Sequence, residues 1–142
     1  MDIRNAKDEE LILLADMTRQ LFEDEPSDRV LTIQQFEDRL RGYIGTGCCA
    51  FLFLEESIIG YALVNMSRTP YYLIDFFISR NERRTGKGTD AFNLLMRELN
   101  TENIDLDVFC WNSRGRKFWE SLGFKEHAII MRKQTKSNLT DK

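Results

Sequence analysis

A chain of 142 residues is one domain, or one domain with a tail, long enough to bury roughly two-thirds of the surface its unfolded form exposes. Its 42% hydrophobic and 30% charged residues are ordinary for a soluble globular protein. A net charge of −3 argues against broad nucleic-acid binding, and no apolar run approaches the ~20 residues a membrane span needs.

In chain order, Ile3 sits in a short first strand, and Asp8-Glu9-Glu10 open a helix with acids where the helix dipole favours them. Leu11, Leu14, Ala15, Thr18, Leu21 and Phe22 follow helical spacing, so residues 9–23 read as amphipathic. Glu23-Asp24-Glu25-Pro26-Ser27-Asp28 is an acidic loop, either simply solvated or an acidic lip that attracts a cation. Thr32-Ile33-Gln34-Gln35 is a capping box, and Phe36, Leu40, Tyr43 and Ile44 carry a second helix to Gly45-Thr46-Gly47. Cys48–Leu54 and Ile58–Val64 read as a hairpin about Glu55-Glu56-Ser57. Tyr71–Ile78 is a buried strand, 87–99 a helix, Ile104–Phe109 a strand, Ser113–Ser121 a short helix, and Ala128–Met131 a last strand. The residues from Gln134 on form a polar tail, so the domain spans 1–133 and the tail 134–142.

This order, hairpins first and strand-helix-strand later, implies an α/β fold: a mixed, mostly antiparallel sheet of six to seven strands with helices on both faces. Cys48, Cys49 and Cys110 are an odd set without metal-like spacing, which reads as core packing in a reduced, cytoplasmic setting with no metal site. The N-terminus shows no apolar signal segment.

The chemistry concentrates between the 71–78 strand and the 87–99 helix. Arg83-Arg84-Thr85-Gly86-Lys87-Gly88-Thr89 is a basic, glycine-spaced turn that aims backbone N–H groups and a helix N-terminus at one point. Such a turn suits a phosphate or pyrophosphate; alternatively it is a plain basic turn. The P-loop pattern fails, because Asn81 stands where glycine is needed and Gly88 follows Gly-Lys in place of Ser or Thr. The dinucleotide pattern fails at Ala91.

Two motifs together resemble the GNAT N-acetyltransferase superfamily, over essentially residues 1–133. One is Arg83-x-x-Gly86-x-Gly88 between strand and helix. The other is Asn112-Ser113-Arg114-Gly115-Arg116-Lys117-Phe118-Trp119-Glu120-Ser121-Leu122-Gly123-Phe124, similar to the family's Asn-x-x-Ala-x-x-hydrophobic-Tyr-x-x-x-Gly-Phe helix and turn. The resemblance implies that acetyl-coenzyme A lies where parallel strands 71–78 and 104–109 splay apart. Backbone of Phe76, Phe77 and Ile78 would pair with the pantetheine arm. Backbone N–H groups of Arg84, Thr85, Gly86, Lys87, Gly88 and Thr89, with Arg83 beside them, would hold the pyrophosphate, and Asn112 would contact the cofactor. An amine would then attack the thioester directly, which requires a proton acceptor.

Asp107 is the first candidate for that acceptor and Asp75 the second; either could instead pair with a cationic substrate, or Asp107 could decorate a polar strand face beside Asp105. Trp119 departs from the family pattern, because many relatives carry a tyrosine there that can protonate the leaving thiolate. Its indole N–H is no useful acid, so Trp119 would pack near the cofactor sulfur instead. Gly115 in place of alanine is a smaller departure.

The expected function is acetyl transfer from acetyl-coenzyme A to a primary amine of a small molecule or peptide. Glu23, Asp24, Glu25 and Tyr43 would line an acceptor site for a cation; polyamines, aminoglycosides, amino-acid amines and protein amines all stay open. The competing readings are a coenzyme A-binding regulatory module without catalysis, motivated by Trp119, and a nucleotide-phosphate binding module. Neither nucleic acid nor membrane is an expected partner, and a homodimer, common in the family, is one expected assembly.

Overall fold

The computed structural model describes residues 1–25 and 30–135, so Pro26, Ser27 and Asp28 of the acidic loop and most of the polar tail lie outside the described residues. Along the chain run β1 (Asp2–Asn5), α1 (Leu11–Asp24), α2 (Ile33–Ile44), β2 (Cys48–Leu54), β3 (Ile58–Asn65), β4 (Tyr71–Ile78), α3 (Lys87–Leu99), β5 (Ile104–Asp105) and α4 (Ser113–Ser121). Short 3-10 turns at Asp8–Glu10 and Arg80–Glu82 precede α1 and follow β4. The chain packs as two compact units, Met1–Phe109 and Cys110–Lys142. Among the described residues no helix is long and apolar enough to cross a membrane.

The first unit is built on one five-stranded sheet in the order β1-β2-β3-β4-β5. Pairings from β1 to β4 are antiparallel, and β4 and β5 run parallel. Leu11, Leu14, Ala15 and Met17 of α1 and Phe36 and Leu40 of α2 pack on one sheet face, against Cys48, Ala50, Leu52, Tyr61, Leu63 and Phe77. Phe53, Phe76 and Phe92 stack edge-on, at 5.7 and 6.3 Å between centroids, which puts α3 against the other face. Each helix thus buries the stripe that its 3.6-residue spacing creates.

The entries into α1 and α2 are set by local chemistry. The Thr32 hydroxyl accepts from the Gln35 N–H at 3.1 Å and the Gln35 side chain accepts from the Thr32 N–H at 2.8 Å, a reciprocal cap that starts α2. Before α1, Arg4 donates twice to Glu10, at 2.8 Å each, and the Lys7 N–H adds a third donor at 2.8 Å. This clasp ties β1 to the start of α1. It replaces the simple acidic helix start expected at residue 9: a 3-10 turn comes first and the α-helix begins at Leu11.

Among the described residues the strand count is five, not six to seven. The strand expected over 104–109 pairs only at Ile104 and Asp105, and Ala128–Met131 is not a strand at all. A strand needs a partner edge as well as apolar residues. Because 106–109 leave the sheet, they offer no edge for a further strand, and Ile129, Ile130 and Met131 are exposed.

Candidate active site

β4 runs through the centre of the candidate site, and its two edges differ. Toward β3 it is paired from Tyr72 to Ile78. Toward β5 it is paired only at Tyr71↔Ile104 and Tyr72↔Asp105. From Leu73 to Ile78 that second edge has no strand partner among the described residues, so Phe76, Phe77 and Ile78 lie on a stretch with backbone groups left for another partner.

One irregularity decides which side chains meet there. Leu63 pairs with Asp75 but Val64 pairs with Leu73, so Ile74 is an extra residue in β4, a bulge. Cross-strand partners share a face. Asp75, opposite Leu63, therefore faces α1 and α2, whereas Leu73, opposite Val64, faces α3. Tyr72, opposite Asn65, returns to the α1–α2 side. Strict alternation would have placed Tyr72 with Phe76 on the α3 side.

Asp75 is 4% exposed, and both its oxygens are taken. Arg39 of α2 donates to Oδ2 at 2.7 Å and to Oδ1 at 2.9 Å, and the Tyr61 hydroxyl donates to Oδ2 at 3.0 Å. Burial, with the Asp75 charge beside it, pushes the Tyr61 phenol well up, so it keeps the proton it donates. Thr18 of α1 completes the chain, its hydroxyl 2.7 Å from that of Tyr61. Rings of Phe22 and Tyr43 flank the Arg39 guanidinium, each 5.2 Å from its centre. Thus Asp75 and Tyr43, expected as base and acceptor contact, are joined through Arg39.

Asp107 is exposed and sits beyond the last paired rung. Burial, and then the Asp107 carboxylate beside it, push the Tyr72 phenol up, with the Tyr43 hydroxyl also nearby. Arg68 covers the Tyr72 ring at 4.8 Å and reaches Asp105 at 3.4 Å. Asp107, Tyr72 and Tyr43 therefore gather at the mouth of the parted strands. Burial, with the charges of Asp75 and Asp24, pushes the Glu25 carboxyl up, and it has no hydrogen-bond partner among the described residues.

Glu23 and Asp24 stand apart from this group. Their carboxylates pair with Arg80 and Arg83 at the far end of β4. Lys87 is paired with Glu55 and Glu82, at 2.6 and 2.7 Å, which hold its ammonium up. Of the cations Arg83, Arg84 and Lys87, only Arg84 lacks an acidic partner among the described residues. Its φ is 66°, in the left-handed region, and Gly86 follows with φ 80° as the N-cap of α3. Gly86 has no side chain to cap the helix. The N–H groups of Lys87, Gly88 and Thr89 have no partner among the described residues, and the first helical bond is from Asp90 to the Gly86 carbonyl at 3.1 Å. Thr85 instead donates its hydroxyl to the Glu82 carbonyl at 2.9 Å. Uncapped donors beside an unpaired arginine are a donor set for a phosphate oxygen.

In the second unit, the Asn112 side chain caps α4, accepting from the Gly115 N–H at 3.0 Å. A Cβ at position 115 would lie 2.5 Å from Asn112 Nδ2, so glycine there lets the cap close. Trp119 stacks edge-on with Phe118 and Phe124, at 4.8 and 5.4 Å. Phe124 N–H bonds to the Trp119 carbonyl and Gly123 N–H to that of Glu120, with Gly123 at φ 95°. This pair of hydrogen bonds with an apolar contact is a Schellman ending, and it explains the Gly-Phe pair in physical terms.

A family model described as the acetyltransferase (GNAT) family matches residues 11–124. The chain belongs to the GNAT acetyltransferase family. The acyl donor that goes with this family is acetyl-coenzyme A, and the donor set around Arg84 and the start of α3 fits its pyrophosphate. No curated protein sequence matches significantly. Solved structures with the same fold include a possible acetyltransferase from Clostridium difficile at TM-score 0.74 and 16% identity, covering 94% of this chain and 96% of that one. A predicted acetyltransferase from Clostridium acetobutylicum, solved with acetyl-coenzyme A, has TM-score 0.71 and 17% identity over 94% of this chain and 95% of its own. The PaiA N-acetyltransferase from Thermoplasma acidophilum, in complex with coenzyme A, has TM-score 0.69 and 17% identity, covering 91% and 92%. At these identities the likeness is one of fold.

Sequence reasoning passed over Arg39, Tyr61 and Tyr72. Arg39 carried a signal: it lies three residues after Phe36 and four before Tyr43, inside the apolar stripe of α2. Tyr72 carried none, because only the bulge turns it to this side.

Proposed function

We propose that this acetyltransferase passes acetyl from acetyl-coenzyme A directly to the primary amine of a small molecule or peptide. The observation that carries the reading is the parted strand pair: the open edge of β4 leads straight into the uncapped start of α3. In this reading, backbone of Phe76–Ile78 holds the pantetheine arm. The N–H groups of Arg84–Thr89, with the Arg84 charge, hold the pyrophosphate. Acetyl-coenzyme A brings an activated thioester.

Asp107 is the proton acceptor for the amine. It stands at the fork, exposed to solvent that can carry the proton away, and Tyr72 and Tyr43 border the approach. Asp75 is assigned to structure, because a carboxylate gripped twice by Arg39 and once by Tyr61 has little left for an incoming ammonium. The preference for a cationic acceptor rests on Glu25, since Glu23 and Asp24 are spent on arginines. Asn112 and Trp119 are assigned by their motif: Asn112 orders the start of α4, and Trp119 packs and supplies no acid.

Thiol release from acetyl-coenzyme A with a panel of polyamines, aminoglycosides, amino acids and peptides tests the activity. Turnover with at least one class is expected. Tight coenzyme A binding without release across the panel would make the chain a coenzyme A-binding module instead. With an active amine, Asp107→Asn is expected to lower kcat about 100-fold and flatten the pH profile. A wild-type profile removes Asp107 from the role.

A further inference from the structure

The acids that close α1 look, in sequence, like an attractor for a cationic acceptor. Apart from the Glu23–Arg19 pair within α1, at 2.6 Å, their contacts run to the turn after β4. Arg80 Nη2 reaches Glu23 Oε1 at 3.0 Å and Asp24 Oδ1 at 3.1 Å. Arg83 Nη2 reaches Asp24 Oδ2 at 2.7 Å, its Nε donates to the Ile78 carbonyl at 2.7 Å, and its guanidinium lies over the Phe77 ring at 5.1 Å. Arg83 is thus held on three sides, by α1, by the last carbonyl of β4 and by a core ring. A planar guanidinium fixed in this way is a strut.

What the strut adjoins is the strained part of the loop. Arg84, the next residue, has φ 66° without being glycine, and such a conformation persists only where its surroundings over-determine it. The left-handed backbone at Arg84 and Gly86 lies directly before the N–H groups at the start of α3. The Asp24–Arg83 pair is also the better shielded one, with side chains 28% and 33% exposed, against 51% and 49% for Glu23 and Arg80.

We propose that Asp24, with Glu23 in a lesser part, is a positioning residue of the donor loop: through Arg83 and Arg80 it sets the geometry that binds acetyl-coenzyme A, and it does not recruit the acceptor. The inference rests on reading 84–89 as the pyrophosphate cradle, and it reverses a sign. Removing a negative charge near a phosphate site should, by Coulomb's law alone, tighten phosphate binding. A positioning role predicts weakening.

Calorimetric titration of coenzyme A into the wild type, Asp24→Asn, Asp24→Glu and Glu23→Gln reads this directly, with steady-state KM for an active amine as the second measurement. Asp24→Asn is expected to weaken coenzyme A about fivefold to tenfold, with amine KM within about twofold of wild type. Asp24→Glu recovers most of the loss, and Glu23→Gln loses about twofold. Unchanged or tighter coenzyme A binding by Asp24→Asn overturns the proposal, as does a raised amine KM with donor affinity intact. Should Asp24→Asn fail to fold, Arg80→Gln at the exposed end of the network must weaken coenzyme A, and no change there overturns the proposal equally. A wild type that does not bind coenzyme A removes the cradle reading itself, a different outcome from a wild type that binds and a variant that binds alike.

Discussion

The middle of β4 and the turn beyond its end treat charge in opposite ways. Around Asp75 the charges are buried and satisfied: two bonds from Arg39 and one from Tyr61, with Thr18 behind. Beyond Ile78 the loop keeps backbone donors uncapped and one arginine, Arg84, without an acid among the described residues. A buried charge left unpaired costs several kcal/mol, so the interior cluster must be complete at all times. A solvated loop can leave donors open and let a ligand complete them. In the proposed reading, the difference separates the residues that hold the fold from those that bind the donor.

The largest way to break the comparison is Arg39→Met. It leaves the Asp75 charge buried without its partner, and a loss of about 3–5 kcal/mol in urea unfolding is expected. Adding Asp75→Asn should return part of that loss, because the stranded charge is gone. A loss under about 1 kcal/mol for the single variant would show that the cluster is not dry.

Gly86→Asp attacks the other region. The residue has φ 80° and a Cβ there meets nothing within 4 Å, so the variant has room but adds backbone strain and a charge that repels phosphate. Coenzyme A affinity should fall tenfold or more, about 1.4 kcal/mol, by calorimetry. Gly86→Asn, which tolerates the left-handed region, should lose less. An unchanged affinity in folded Gly86→Asp would remove the loop from donor binding.

Glu10→Gln sharpens the contrast as a control outside both regions. Hydrogen bonds from Arg4 and then from the Lys7 N–H hold the Glu10 carboxyl down to about 2, from an ordinary 4.5. A carboxyl lowered in the folded state contributes stability that is present above the unfolded value and lost as pH falls through the folded one. The wild type should therefore lose stability from about pH 4.5 down toward pH 2, and Glu10→Gln should be flatter across that window and less stable at neutral pH. Coenzyme A affinity should not move. The measurement is the thermal midpoint against pH, and a variant with the wild-type slope would sink the assignment.

Much of the fold was legible because its signals are local. The Thr32–Gln35 cap, the 3.6-residue stripes of α1 to α3 and the hairpin about Glu55 to Ser57 depend on neighbours a few residues apart. The strands expected at 106–109 and 128–131 were not legible, because apolar residues specify a strand only when a partner edge exists. The same limit applies to the site. The glycine-spaced turn and the Asn112–Phe124 motif are contiguous, so they could be read. That Asp75 meets Arg39, 36 residues away, and Tyr61, 14 residues away, could not.

The amino-acid order by itself determined the family and with it the donor, since both rest on short contiguous motifs, Arg83 to Gly88 and Asn112 to Phe124. Tertiary structure decided which charges are available. The bulge at Ile74 turns Tyr72 toward Tyr43, burial spends Asp75 on Arg39, and the end of α1 spends Glu23 and Asp24 on Arg80 and Arg83. A carboxylate in a sequence is only a candidate. Its role depends on whether folding brings an opposite charge within about 3 Å, because that distance sets whether it can still serve a substrate.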